Sequence, residues 1–142
     1  MKYITWEPRL NTGIEIIDAQ HQRIVAYINE LYSAVKGRDK RLVSNTIFQL
    51  LDYTQSHLRF EEELLEAAGY VELEAHRAVH SHFERRIHHY YKRHNDGQDI
   101  AIPLISELRL WLTTHILHDD REYVPTLLRY MEGITFPTSI AS

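Results

Sequence analysis

The sequence predicts an all-α protein: an up-down-up-down antiparallel four-helix bundle with an irregular N-terminal arm and a short C-terminal helix. Three observations predict this fold. Apolar residues recur at alternating spacings of three and four along four long segments, as in helices that bury one face. Short connections separate these segments, which is typical of antiparallel neighbours. No segment shows the period-two alternation of a β-strand.

The arm and the first helix occupy the first quarter of the chain. The arm is expected over residues 1–17, where Pro8 and Gly13 disfavour a continuous helix. Asp18 is the expected N-cap, because its carboxylate can accept hydrogen bonds from free N–H groups of the first turn. The first helix then ends at "KGRD", where Gly37 suits a left-handed C-cap.

Three further helices follow at similar intervals. The second is expected from about residue 40 to 68, before Gly69, and the third from about residue 72 to 94, before "NDG". The fourth begins near Ile100, tolerates Pro103 in its first turn, and is expected to break or kink near Pro125. A single domain thus comprises the arm, a bundle over about residues 18–124, and a short helix with a disordered tail over 125–142.

Length and composition restrict the class of protein. A chain of 142 residues with 44% hydrophobic content can fill one core. Its 16 basic and 20 acidic residues give a net charge of −4, and their interspersion argues against a nucleic-acid surface. The basic run "RRIHHYYKRH" fits the end of a helix, where cations favour the macrodipole, better than it fits an anion site.

Several features bear on the compartment. The absence of cysteine excludes disulfides and thiolate metal ligands. The N-terminus lacks the apolar region of a signal peptide, and no run approaches the ~18 apolar residues of a membrane span. We therefore expect a cytoplasmic protein without membrane insertion.

Every predicted helix carries histidine on its buried face. These residues are His21 in the first helix, His57 in the second, His76 and His80 in the third, and His115 in the fourth. Glu61 follows His57 by one turn, and a buried glutamate is costly unless it is bound. Because neighbouring helices run antiparallel, all of these positions fall within roughly two turns at one end of the bundle. The sequence therefore predicts a polar cluster in the core.

Such a cluster favours particular metals. Imidazole suits iron, zinc, copper and nickel, whereas magnesium and calcium prefer more carboxylate. Five histidines and two carboxylates exceed the needs of one ion, but two ions bridged by carboxylates would use all seven and leave a vacancy for an external ligand. Dinuclear sites are commonly built in bundle cores. From the residues alone, the metal stays open.

Four stretches together form a specific pattern: "DAQHQRIV", "HLRFEEELLEAAGY", "HRAVH" and "WLTTHILHDDREYV". Each piece alone is common, but the combination of H, HxxxE, HxxxH and HxxxxD resembles the hemerythrin family, in particular its bacterial members. The arm "TWEPRLNTGIEIIDAQH" is also similar to that family's entry into its first helix. The resemblance covers about residues 4 to 130.

The resemblance implies two iron ions and assigns their ligands. His76, His80 and His115 would bind one iron, His21 and His57 the other, and Glu61 and Asp120 would bridge both with an oxo or hydroxo group. Dioxygen would bind on the side of His21 and His57. The matching pocket positions are the apolar residues Ile24, Leu58, Trp111, Ile116 and Leu117.

The second bridging carboxylate is ambiguous within "HILHDD". On an α-helix, Asp119 lies about 40° around the axis from His115, whereas Asp120 lies about 140° away, so regular geometry favours Asp119. The family spacing favours Asp120, and a wider, π-like turn ahead of Pro125 would help it reach the cluster. We choose Asp120, with Asp119 facing solvent or hydrogen-bonded nearby. Tyr123 either hydrogen-bonds near the site or closes the bundle.

The resemblance also implies a function. A non-enzymatic protein that binds dioxygen reversibly, for storage, delivery or sensing, is favoured because the pocket positions offer no acid or hydroxyl as a proton donor. The alternative is a di-iron oxidoreductase that handles nitric oxide or peroxide. Expected partners are dioxygen and an oxygen-consuming enzyme, and we expect a monomer. The remaining histidines, His82, His88, His89, His94 and His118, are expected to be solvated.

Overall fold

The computed structural model describes the backbone of residues 2–141 and the side chains of residues 2–133. Over this range the chain is helical and contains no strand. The helices are α1 (Glu15–Lys36), α2 (Lys40–Ala67), α3 (Leu73–Asn95), α4 (Ala101–Thr114) and α5 (Arg121–Ala141), with a π-helical segment, His115–Asp120, between α4 and α5. α1 packs against α2 and α4, and α2 packs against α3. The predicted all-α four-helix bundle is confirmed.

Two apolar clusters fill the core. The larger runs along the bundle and contains fully buried side chains such as Ile28, Leu50 and Leu104. The smaller closes the end where α1 begins and α2 ends, and its buried members are Ile14, Ile17, Leu65, Tyr70, Tyr123 and Leu127. Full burial of each aliphatic side chain contributes about 1.5–3 kcal/mol, so the two clusters hold the helices in register.

Two helix ends test the predicted boundaries. α2 ends before Gly69 as predicted, where Gly69 has φ +71 directly after the C-cap and Tyr70 N–H donates to the Leu65 carbonyl at 3.0 Å. The cap predicted at Gly37 is wrong by one residue, because Gly37 has φ −78 and Arg38 has φ +56. α1 extends to Lys36, which moves the left-handed position onto Arg38.

Asp18 has a different role from the one predicted. α1 begins at Glu15, so Asp18 lies within its first turn and Ile14 is the N-cap. The buried carboxylate of Asp18 accepts hydrogen bonds from the Thr12 N–H at 2.8 Å, the Thr12 hydroxyl at 2.8 Å and the Gly13 N–H at 3.1 Å. It therefore fixes the end of the arm onto α1 instead of capping the helix.

The predicted break at Pro125 does not occur. α5 begins at Arg121 and continues through Pro125, which lies between the fully buried Tyr123 and Leu127. Packing of those two neighbours compensates for the single backbone hydrogen bond that proline removes. The irregular turn lies earlier, in the π segment. The backbone of the predicted tail is helical to Ala141, and its side chains lie outside the described residues.

The length and polarity of these helices also bear on membranes. Within the described residues, no helix is both long enough and apolar enough to span a bilayer.

Replacing Asp18 by alanine is expected to destabilise the fold, because three donors, two of them buried, lose their acceptor. We expect the free energy of unfolding to fall by about 1–3 kcal/mol, measured by urea unfolding. Glu15→Ala is the matched control, since Glu15 is exposed in the same turn, and its effect should stay within about 0.5 kcal/mol. Equal unfolding midpoints for the two variants would contradict this role of Asp18.

Candidate metal centre

The structure brings all seven predicted ligand residues together in the core. They are His21, His57, Glu61, His76, His80, His115 and Asp120, and every one is at least 95% buried. They come from the start of α1, the last third of α2, the start of α3 and the π segment. Along each element, these ligand residues lie between side chains of the larger apolar cluster and side chains of the smaller one. Apolar side chains therefore flank the polar cluster on both sides.

One group contains three histidines and one carboxylate. The ligand atoms of Glu61, His76, His80 and His115 all lie within 4.8 Å of one another. Glu61 Oε1 is 2.5 Å from His76 Nε2, 3.0 Å from His80 Nε2 and 3.4 Å from His115 Nε2. Three imidazole nitrogens therefore converge on a single carboxylate oxygen.

A second group uses the other oxygen of the same carboxylate. Ligand atoms of His21, His57 and Glu61 also lie within 4.8 Å of one another. His57 Nε2 is 3.5 Å from Glu61 Oε2. Glu61 thus lies between two adjacent ligand groups and presents one oxygen to each, which is the arrangement of a bridging carboxylate.

Asp120 is shared between the groups in the same way. Its Oδ1 lies 2.9 Å from His115 Nε2, and its Oδ2 lies 3.1 Å from His21 Nε2. Asp119, which is 37% exposed at its side chain, instead contacts the outer nitrogen of His115, with Oδ2 3.0 Å from Nδ1. A π-helix hydrogen-bonds from i to i+5, so its wide turn returns Asp120 to the face of His115.

Polar partners orient three of the histidine rings from outside. His57 Nδ1 lies 2.6 Å from Gln20 Oε1, His80 Nδ1 lies 2.8 Å from Glu62 Oε2, and His115 Nδ1 pairs with Asp119. Partners of this kind fix the ring so that Nε2 faces the centre. Sequence reasoning missed Gln20 and Glu62, because each contacts a histidine on a neighbouring helix and only their positions beside His21 and Glu61 hint at it.

Tyr123 hydrogen-bonds at the site, which was one of its two predicted alternatives. Its fully buried hydroxyl donates to Glu61 Oε2 at 3.0 Å. Burial raises the pKa of Tyr123 well above its usual value, and the charges of Glu61 and Asp120 raise it further. The hydroxyl therefore stays protonated and remains a donor to Glu61.

The buried charges perturb one another strongly. Burial lowers the pKa of His57 to about 4, so this ring is neutral and its nitrogen is free to coordinate. Burial alone would raise the pKa of Glu61, but hydrogen bonds from three histidines outweigh it and hold that pKa well below its usual range. Burial also opposes the charging of His115, yet the charge of Asp120 and hydrogen bonds to nearby carboxylates raise its pKa well above normal. Protons thus supply positive charge that a metal cation can replace.

Orphaned polar atoms test whether the residues fit a metal. Among the described residues, both ring nitrogens of His21, Nε2 of His57 and both carboxylate oxygens of Asp120 are buried and form no hydrogen bond, although the Asp120 oxygens lie 2.9 and 3.1 Å from His115 and His21. Buried polar atoms are normally satisfied, and each unsatisfied one destabilises the fold. Imidazole nitrogens and carboxylate oxygens are good ligands for iron and similar ions, so this donor set fits bound metal.

The predicted pocket residues all belong to the larger apolar cluster or pack against it. Ile24, Leu58 and Ile116 are fully buried beside the ligand residues in the larger apolar cluster, and Leu117 is half-buried against it.

Trp111, the fifth predicted pocket residue, stacks on aromatic rings. Its ring stacks on Phe83, with centroids 3.7 Å apart, and on His115, at 4.9 Å, so it lies beside the three-histidine group. Leu112, which sequence reasoning missed, is fully buried instead. Trp111 lies three residues after Leu108 and Leu112 lies four after it. Both spacings place a residue on the same helix face, so the sequence could not choose between the two.

The remaining histidines lie away from the centre. His82, His88, His89 and His118 are exposed and His94 is half-buried, with its Nε2 3.1 Å from the Ser44 hydroxyl. The basic run ends α3, with Lys92, Arg93 and His94 in the last turn, as its composition predicts.

Comparisons with known proteins agree with this geometry. The family model described as the hemerythrin HHE cation binding domain matches residues 12–127. The chain is similar to bacteriohemerythrin of Pseudomonas aeruginosa (strain LESB58), with 42% identity over 134 residues that cover 94% of this chain and 88% of that protein. It is similar to bacteriohemerythrin of Stenotrophomonas maltophilia (strain R551-3), with 42% identity over 87% of this chain and 80% of that protein.

A more distant relative and a solved structure extend the similarity. Myohemerythrin of Theromyzon tessulatum is 23% identical over 83% of this chain and 88% of that protein. The crystal structure of wild-type hemerythrin matches with a TM-score of 0.83 and 25% identity, covering 88% of this chain and 98% of that chain. The family match spans most of the sequence and includes all seven clustered residues. The chain therefore belongs to the hemerythrin family.

Proposed function

We propose that this protein binds dioxygen reversibly at a non-haem di-iron centre, without catalytic turnover. The observation that carries the proposal is the pair of adjacent ligand groups that share Glu61 and Asp120. Each of these carboxylates has one oxygen near the three-histidine group and the other near the two-histidine group. A site for a single metal ion would not need two such carboxylates. The names of the relatives and the donor types both favour iron.

In this proposal the ligands divide three to two. His76, His80 and His115 would hold one iron, His21 and His57 would hold the other, and Glu61 and Asp120 would contribute to both. The two-histidine side has one protein donor fewer, so it is the side on which an external ligand binds. When bound, the two irons would supply reversible redox chemistry, with two electrons available to dioxygen.

The surrounding residues keep this binding reversible. Ile24, Leu58 and Ile116 are fully buried, so they exclude water from the side of the site on which they lie. The hydroxyl of Tyr123 is engaged with Glu61 and has a raised pKa, so it is a poor acid toward anything bound at the centre. Without a further proton donor beside the site, the two-electron-reduced dioxygen would not be protonated and released as hydrogen peroxide. Storage, sensing, and delivery to an oxygen-consuming enzyme all begin with this step.

Metal content and spectroscopy test the proposal directly. Protein expressed with adequate iron should carry two irons per chain by elemental analysis, because seven ligands overfill a mononuclear site. The reduced protein should develop a visible charge-transfer band in air and lose it under argon. One zinc per chain without iron uptake would overturn the di-iron proposal. Irreversible oxidation with peroxide release would favour the oxidoreductase alternative.

The two aspartates of the π segment should behave differently. Asp120→Ala removes the carboxylate proposed to bridge the irons, so the variant should lose the dinuclear site and its reversible band. Asp119→Ala is the matched control one residue away, and it removes only the outer partner of His115. It should keep the dinuclear site, with a metal affinity lower by about 10- to 100-fold, measured by chelator competition. The opposite order of effects would show that Asp119 is the bridge.

Metal should also stabilise this end of the bundle. Without it, two buried carboxylates and five imidazoles face one another in the core, so iron binding to the folded state alone should raise stability. At a metal concentration 1,000 times Kd, linkage gives about 4 kcal/mol, or a rise in Tm of roughly 8 °C or more. Calcium is the control, since it prefers oxygen ligands. Identical thermal unfolding of apo and iron-loaded protein would argue against the proposed site.

A further inference from the structure

One buried hydroxyl near the centre has no partner. Thr54 is fully buried in α2, and its Oγ1 forms no hydrogen bond with any described residue. Another helical threonine shows the usual alternative, because the Thr113 hydroxyl donates to the Arg109 carbonyl at 3.0 Å. A threonine in a helix ordinarily satisfies its hydroxyl on the preceding turn in this way. Thr54 does not, so its donor is unused.

The position of Thr54 relates this donor to the metal centre. Thr54 lies three residues before His57, on the same buried face and one turn farther from the end of α2. The corresponding positions one turn inward from His21, His80 and His115 are Ile24, Phe83 and Leu112. All three are buried and apolar. Thr54 is thus the polar residue among these four positions. It lies on α2, the helix that carries His57 of the two-histidine group.

We infer that Thr54 donates a hydrogen bond to the small ligand held on the side of His21 and His57. This inference rests on the proposed function, because that side is where the external ligand binds. A hydroxyl suits the task, since it donates a hydrogen bond but is far too weak an acid to give up its proton. Thr54 therefore stabilises negative charge on the ligand and still leaves dioxygen binding reversible. Before the ligand arrives, the unsatisfied hydroxyl destabilises the protein.

Three substitutions test this positioning role. Thr54→Val removes the hydroxyl and keeps the shape, and Thr54→Ser keeps a hydroxyl. Thr46→Val is the matched control, because Thr46 is also buried in α2, eight residues earlier and therefore about 12 Å farther from the centre. Each variant is prepared with iron, and its iron content and absorption spectrum are measured first. Azide affinity of the oxidised protein, dioxygen dissociation rate and Tm without added ligand follow.

The inference gives a specific set of results. Thr54→Val should weaken azide binding and speed dioxygen dissociation by about five- to tenfold, the fold-change of one lost hydrogen bond. The same variant should raise Tm without ligand by about 2–4 °C, because an apolar group of the same shape replaces an unsatisfied one. Thr54→Ser should retain wild-type affinity, and Thr46→Val should leave affinity unchanged. If the hydroxyl were purely structural, its removal would not both raise the Tm of the ligand-free protein and weaken ligand binding.

Other results separate this inference from the proposed function. Iron-loaded Thr54→Val with azide affinity within twofold of the wild type overturns the role of Thr54 and leaves the di-iron proposal intact. A fall in Tm without a change in affinity also overturns it, because the hydroxyl would then bond within the protein. A wild-type protein that takes up no iron overturns the proposed function and, with it, this inference.

Discussion

The two carboxylates of Glu61 and Asp120 are fully buried in the core near one end of a helical bundle, and most of the structure around them follows from that constraint. An ionised carboxylate without a partner in the core costs several kcal/mol. Here five histidines and one tyrosine hydroxyl surround the pair, and three polar side chains hold the histidine rings from outside. Apolar clusters on both sides keep water out, which strengthens each of these interactions.

The π segment is the backbone response to the same constraint. A regular α-helix would turn Asp120 away from His115, and the wide turn of His115–Asp120 brings it back. This geometry uses both aspartates, because Asp120 reaches the ligand atoms from within while Asp119 contacts His115 from the solvent side. Packing of Tyr123 and Leu127 then carries the helix onward through Pro125. The rare local geometry is therefore held by contacts at both of its ends.

The sequence could predict the four helices and the level of the polar cluster, because helical spacing and antiparallel order need no tertiary detail. It could not decide between Trp111 and Leu112, since spacings of three and four both fit one helix face; Leu112 is fully buried, and Trp111 stacks on Phe83 and His115. Gln20 and Glu62 were out of reach because each acts on a histidine of another helix. Asp18 was misplaced for a similar reason, as its partners lie in the arm.

The outer hydrogen bonds also distinguish the two ligand groups chemically. Carboxylates support the three-histidine group from outside, through Glu62 on His80 and Asp119 on His115. The two-histidine group has only the neutral amide of Gln20 on His57, and Nδ1 of His21 has no partner among the described residues. A carboxylate partner makes its histidine a stronger electron donor. The histidines of the three-histidine group are therefore the stronger electron donors, and the two-histidine group also has fewer protein donors.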